Sequence, residues 1–159
     1  DRAAGAAADA LPDEARGQAV TSIDFHHGAR DKVQAACRLI GELYAQGRKV
    51  LVYAPAENLA EQLDRQLWVQ PATGFLPHCR VGAALAAETP VVIGGSLDDA
   101  AHHDVLVNLD GDLPPAFSRF ERLLEIVGTD EADRGPARER FKFYRDRGYA
   151  ITAHDLKGA

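Results

Sequence analysis

Four basic side chains near the end of the chain lie at helical spacing. Arg134, Arg138, Lys142 and Arg145 follow one another at steps of four, four and three, which places all four on one face of a helix. Phe141 lies beside that row, and Ala137 and Tyr144 continue an apolar stripe. A charged helix face is most often simply solvated. Here the acids of the segment, Glu139 and Asp146, leave most of the row without an opposite charge. Cations lined up beside an aromatic suit an acidic peptide with an apolar end. Guanidinium groups grip its carboxylates, and a shallow hollow takes its terminal side chain.

Other chemistries find less support. A phosphate cradle needs a glycine-rich turn between a strand and a helix. Gly94-Gly95-Ser96 follows an apolar run, but neither a GxGxxG spacing nor a GK[ST] ending is present, and Ala54-Pro55-Ala56-Glu57 has no glycine. The pairs His26-His27 and His102-His103 each offer one ring to any single site, because neighbours in a strand face opposite ways. With His78-Cys79 they match no zinc spacing. Asp110 and Asp112 flank a glycine at the end of an apolar run, where a tight turn explains them as well as a cation does. No nucleophile turn of the Gly-x-Ser-x-Gly kind occurs. These readings imply neither a cofactor nor a catalytic centre.

The composition narrows the choice further. At 159 residues, 46% apolar and 26% charged, the chain has the makings of one soluble globular domain. A net charge of −6 disfavours strong direct binding to DNA, which needs a basic field. The apolar runs are too short to span a membrane, and no secretory leader opens the chain, so a cytoplasmic location is expected. Cys37 sits in a helical apolar pattern as a core residue, and Cys79 stands alone.

The elements that must position these groups alternate. Residues 1–19 are rich in Ala, Gly, Asp and Arg and read as a flexible extension, leaving 20–159 as the domain. A strand is expected over Val20–Phe25 and a helix over Ala29–Gln46. Another strand covers Lys49–Ala54, and a helix with a Leu59, Leu63, Leu67 stripe, flanked by Ala60 and Trp68, covers Ala56–Trp68. Gly82–Glu88 is a loop or brief helix. Strands follow over Pro90–Ile93, Val105–Leu109 and Leu123–Val127, with a short helix at Phe117–Arg122. The last helix runs Asp130–Arg147, capped by Thr129 or Asp130 and stopped by Gly148, and Tyr149–Thr152 adds an edge strand. This alternation predicts an open, mostly parallel α/β sheet covered on both faces. Between Trp68 and Pro77, large apolar groups (Trp68, Pro71, Phe75, Leu76) sit where prolines and a glycine forbid regular structure. They form either a core plug or a patch for another protein.

Four stretches together resemble the chi subunit of bacterial DNA polymerase III, an accessory of the clamp loader. They are IDFH from Ile23, DKVQAACRLIGELYAQGRKVLVYA from Asp31, LWVQPATGFLPH from Leu67 and ARERFKFYRDRGY from Ala137, and the likeness runs from about Thr21 to Leu156. The resemblance implies a non-enzymatic, replisome-associated adaptor with a nucleotide-binding-like fold and no bound nucleotide. One surface would bind the psi subunit through positions matching Trp68 and Phe75. The other would bind the acidic, Pro-Phe-ended tail of single-stranded-DNA-binding protein through Val127, Arg138, Phe141 and Lys142. Phe141 stands where some members have tyrosine. A second likeness, of KVLVYAPAENLAEQLDRQL and HDVLVNLDGDLPPAFSRFERLLEIVG to half of a RecA-like helicase, lacks both the phosphate loop and the arginine finger.

Overall fold

Short apolar runs buried on both faces set the architecture. In the computed structural model, which describes residues 21–69, 77–80, 89–95 and 102–156, these runs become the strands of a sheet. The elements are Ser22–Ala29 (β1), Lys32–Ala45 (α1), Val50–Tyr53 (β2), Glu57–Val69 (α2), His78–Arg80 (β3), Val91–Gly94 (β4), Val105–Asn108 (β5), Arg122–Gly128 (β6), Glu131–Asp146 (α3) and Ile151–Asp155 (β7), with a 3-10 turn at Phe117–Arg119. The sheet is open and seven-stranded, ordered β3-β4-β2-β5-β6-β1-β7, and every neighbouring pair is parallel. The expected extension over 1–19, the Gly82–Glu88 segment and the segment carrying Phe75 lie outside the described residues.

Strand residues divide alternately between two cores. Val50, Val52, Val91, Ile93, Val105, Val107, Leu124 and Ile126 pack with Val33, Ile40 and Leu43 of α1 and Ala60, Leu63 and Leu67 of α2. On the opposite face Leu51, Val92, Leu106, Leu123 and Val127 pack with Phe117, Phe120 and, from α3, Ala137 and Tyr144. Each fully buried leucine or isoleucine contributes about 1.5–3 kcal/mol of transfer free energy. Cys37 belongs to the first core, and burial pushes its thiol up to about 12, so it behaves as a small apolar residue.

The expected boundaries shift for identifiable reasons. β1 runs on to Ala29, and α1 begins only at Lys32, because the Asp31 side chain accepts from the Gln34 amide at 3.1 Å and caps the helix there. The strand β3 had no apolar signature, since His-Cys-Arg reads as polar; its pairing with β4 creates it. Trp68, placed beside the apolar stripe of α2, turns outward at the helix end and is 59% exposed, and Tyr44 near the end of α1 is 37% exposed. Asp130 stands at the N-cap of α3, but its side chain makes no capping bond. Gly148, expected to stop α3, has φ of +86°, and Gly47, just past the end of α1, has φ of +79°. Gly95 serves packing here: a Cβ there would lie 3.1 Å from Pro55 Cα.

The outer edge of the sheet is held by polar side chains. Asp24 accepts from Arg122 Nε at 2.8 Å and pairs with His154 Nε2 at 2.9 Å, tying β1 to β6 and β7. Burial opposes ionisation of Asp24, but these two partners outweigh it and hold its carboxyl below the usual range. His26, in register with His154, stacks on that ring at 4.4 Å and 10°. Burial, with the neighbouring His154 charge, lowers its pKa from 6.5 to about 4. A folded-state pKa this low means the unfolded chain binds the proton first, so stability is lost as pH falls from about 6.5 toward about 4. Urea unfolding at stepped pH should show that loss relative to a His26→Gln variant, which lacks the titrating ring; parallel curves for the two proteins would refute it.

Candidate functional site

The last helix is fixed to the sheet by charges and not by apolar contact alone. Glu125 of β6 is fully buried and faces α3. Its carboxylate accepts from Asn108 Nδ2 at 2.9 Å, Arg140 Nε at 3.0 Å and Tyr144 Oη at 2.6 Å. Arg140, 4% exposed, also donates through Nη1 to the Gly111 carbonyl at 2.6 Å. Burial pushes the Glu125 carboxyl up, against the pull of Arg140, Tyr144 and Asn108; burial and the facing carboxylate raise the Tyr144 hydroxyl. The Asp110-Gly111-Asp112 segment is a turn, with Asp110 N–H donating to Asn108 Oδ1 at 2.9 Å, and it offers that carbonyl to Arg140.

With Ala137, Arg140 and Tyr144 facing inward, helical periodicity turns the cationic row outward. Arg134, Arg138, Lys142 and Arg145 are all exposed, as the spacing predicts. Phe141 is 36% exposed, with its ring edge-packed on buried Phe25 at 5.2 Å between centroids. Val127 is only 3% exposed and belongs to the core beneath α3, so it can shape a hollow but offers little surface. The row is less free of internal acids than its spacing suggests. Arg138 Nη2 pairs with Glu131 Oε2, and Arg145 Nη2 lies 3.2 Å from Asp146 Oδ1. The first pair spans seven residues, so counting only the acids within the row missed it. Arg134 and Lys142 form no ion pair among the described residues.

The second expected surface is seen in part. Trp68, at the end of α2, is 59% exposed beside Val69 at 67%. Its ring centroid lies 4.7 Å from that of His78, the two planes tilted by 58°, and His78 Nε2 is 3.1 Å from Asp64 Oδ1. This places a supported aromatic at the surface, as a docking role requires. Phe75 lies outside the described residues, so the structure neither joins it to Trp68 nor parts them.

The family model described as DNA polymerase III chi subunit, HolC, matches residues 20–152. The chain belongs to the DNA polymerase III chi subunit family. The DNA polymerase III subunit chi of Pseudomonas aeruginosa is 35% identical over 141 residues, covering 86% of this chain and 98% of that protein. The proteins of the same name from Haemophilus influenzae and Escherichia coli are each 29% identical, over 124 and 125 residues. They cover 77% and 78% of this chain, and the chain covers 86% and 85% of them. Membership places the chain among the subunits of DNA polymerase III, in DNA replication.

The fold also holds a cleft where α/β sheets usually take ligands. β1 and β6 are neighbours whose chains leave toward opposite faces, and at their carboxyl ends a cleft of about 420 Å³ opens, lined in part by Asp31, Lys32, Leu59, Gly128 and Asp133. The Asp133 carboxylate accepts from the Gly128 amide through one oxygen and lies 3.0 Å from Lys32 Nζ through the other. Lys32 also donates to the Leu109 carbonyl at 3.2 Å. The donors that a phosphate would seek are already met by the chain's own carboxylate. This bond ties the start of α3 to the start of α1, a link without local sequence signal.

Of the ion pairs described, Glu125–Arg140 is the most fully buried. Glu125→Ala leaves Arg140 buried and unpaired, and chemical denaturation should show a loss of about 3–5 kcal/mol. A Glu125→Leu/Arg140→Leu pair should recover most of that loss, because two apolar groups leave no orphaned charge.

Proposed function

We propose that this protein is a non-catalytic adaptor of the DNA polymerase III holoenzyme. In this reading it links the psi subunit of the clamp loader to the acidic C-terminal tail of single-stranded-DNA-binding protein. The tail seat comprises Arg134, Arg138, Phe141, Lys142 and Arg145, with Val127 as floor; the psi contact comprises Trp68 and Phe75. One observation carries the reading. Four exposed cations line α3 beside a half-open aromatic ring, on a chain of net charge −6. A protein acidic overall but basic along one helix attracts an acidic peptide and repels bare nucleic acid elsewhere on its surface.

The division of labour follows from the groups present. Guanidinium and ammonium groups set the encounter rate and the sensitivity to salt, while an apolar terminal residue against Phe141 and Phe25 sets which peptide fits. One short peptide on an open face binds at about micromolar strength. Several tails on one oligomeric partner raise the effective affinity without new contacts.

Calorimetry with an acidic, Phe-ended peptide tests the seat. Arg138→Ala and Lys142→Ala, both at exposed positions, should each weaken binding by about 1–3 kcal/mol and leave the fold intact. Full affinity in both variants would remove α3 as the site. Trp68→Ala should leave peptide affinity unchanged while abolishing co-purification with the psi subunit; loss of peptide binding instead would merge the two surfaces into one.

A further inference from the structure

Within its own helix Arg138 already holds a carboxylate. Glu131 stands seven residues earlier on α3, two helical turns away on the same face, and its Oε2 meets Arg138 Nη2. Both side chains are open to water, 58% exposed for Arg138 and 68% for Glu131. The residue between them, Gly135, keeps the path clear. A Cβ built there would lie 3.6 Å from Glu131 Oε2, so the carboxylate rests over Gly135 along the helix surface. It occupies the ground that an acidic ligand must cross to reach Arg138.

We infer that Glu131 is an internal competitor that sets the threshold for ligands of the α3 face. This rests on the reading of that face as the seat of an acidic tail and assigns it a specificity residue. A ligand carboxylate that binds Arg138 displaces Glu131, so at that position one charge-assisted bond is exchanged for another. A ligand with a single carboxylate therefore gains less from Arg138 than from a cation that holds no internal acid. A ligand with several carboxylates in succession also reaches Arg134 and Lys142, which hold no internal acid among the described residues. Glu131 thus discriminates against sparsely charged chain ends through a competing interaction, at a small loss of affinity for the dense ones. The loss is small because exposed ion pairs are weak.

The test is a four-protein cycle on the full chain: the parent, Glu131→Gln, Arg138→Ala and the double variant. Each is titrated calorimetrically at low salt with a synthetic Asp-rich, Phe-ended peptide. Glu131→Gln should tighten binding by about two- to fivefold in the parent, and the gain should vanish when Arg138 is absent. Glu131→Ala should act in the same direction, which guards against a peculiarity of the amide. No gain in either Glu131 variant overturns the inference. So does an equal gain with and without Arg138, which would mean only that removing a negative charge improved the field. If the parent fails to bind the peptide, or Arg138→Ala binds as well as the parent, the docking reading itself falls and takes the inference with it.

Discussion

A single buried carboxylate holds the last helix in relation to the sheet. Glu125 has no access to water and is met by three donors from β5 and α3. An ionised group in such surroundings is tolerable only when its partners are fixed, and here Arg140 is fixed in turn by the carbonyl of the Gly111 turn. The consequence is directional. Apolar contact would let α3 rotate or slide by small amounts at little cost, whereas a network of distinct donor positions admits one register. That register decides which side chains of α3 meet the solvent.

What then faces outward is a surface already in electrostatic use. Arg138 and Arg145 sit in weak internal pairs, while Arg134 and Lys142 stay unpaired among the described residues. Phe141 is neither core nor free surface: its ring edge meets Phe25, and over a third of it remains accessible. In the proposed docking such a face would present charge first and apolar surface second, so that attraction acts at a distance and shape is read on contact. The Trp68 surface is the reverse, with adjacent apolar groups and an Asp64–His78 pair behind them. The two surfaces lie on different helices that pack on opposite faces of one sheet.

The layout of the sheet was legible in the sequence because most of its central strands are short apolar runs buried on both sides and alternate with amphipathic helices, a pattern typical of a parallel, helix-covered sheet. The cationic row was legible because helical spacing is regular over local distances. Three features escaped. The strand β3 has no apolar pattern of its own and exists through its neighbour. Glu131 reaches Arg138 across two turns, farther than pairs at three or four residues suggest. The Glu125–Arg140 and Lys32–Asp133 bonds join groups 15 and 101 residues apart, and nothing local in the chain announces them. Each is a polar contact chosen by the fold, whereas sequence periodicity reports chiefly where apolar surface must go.

The position of β1 has a consequence for how the molecule comes into being. The first strand in sequence lies between β6 and β7, the last two. While the chain is being synthesised, β1 emerges early and waits with both of its edges bare until residues 122–155 follow. Bare parallel edges invite pairing with the wrong chain, and contacts of such long sequence separation form slowly. Truncation within the final helix or strand would therefore do more than remove a surface. It would strand the opening segment without its neighbours, and the nascent protein would become a substrate for chaperones and proteases.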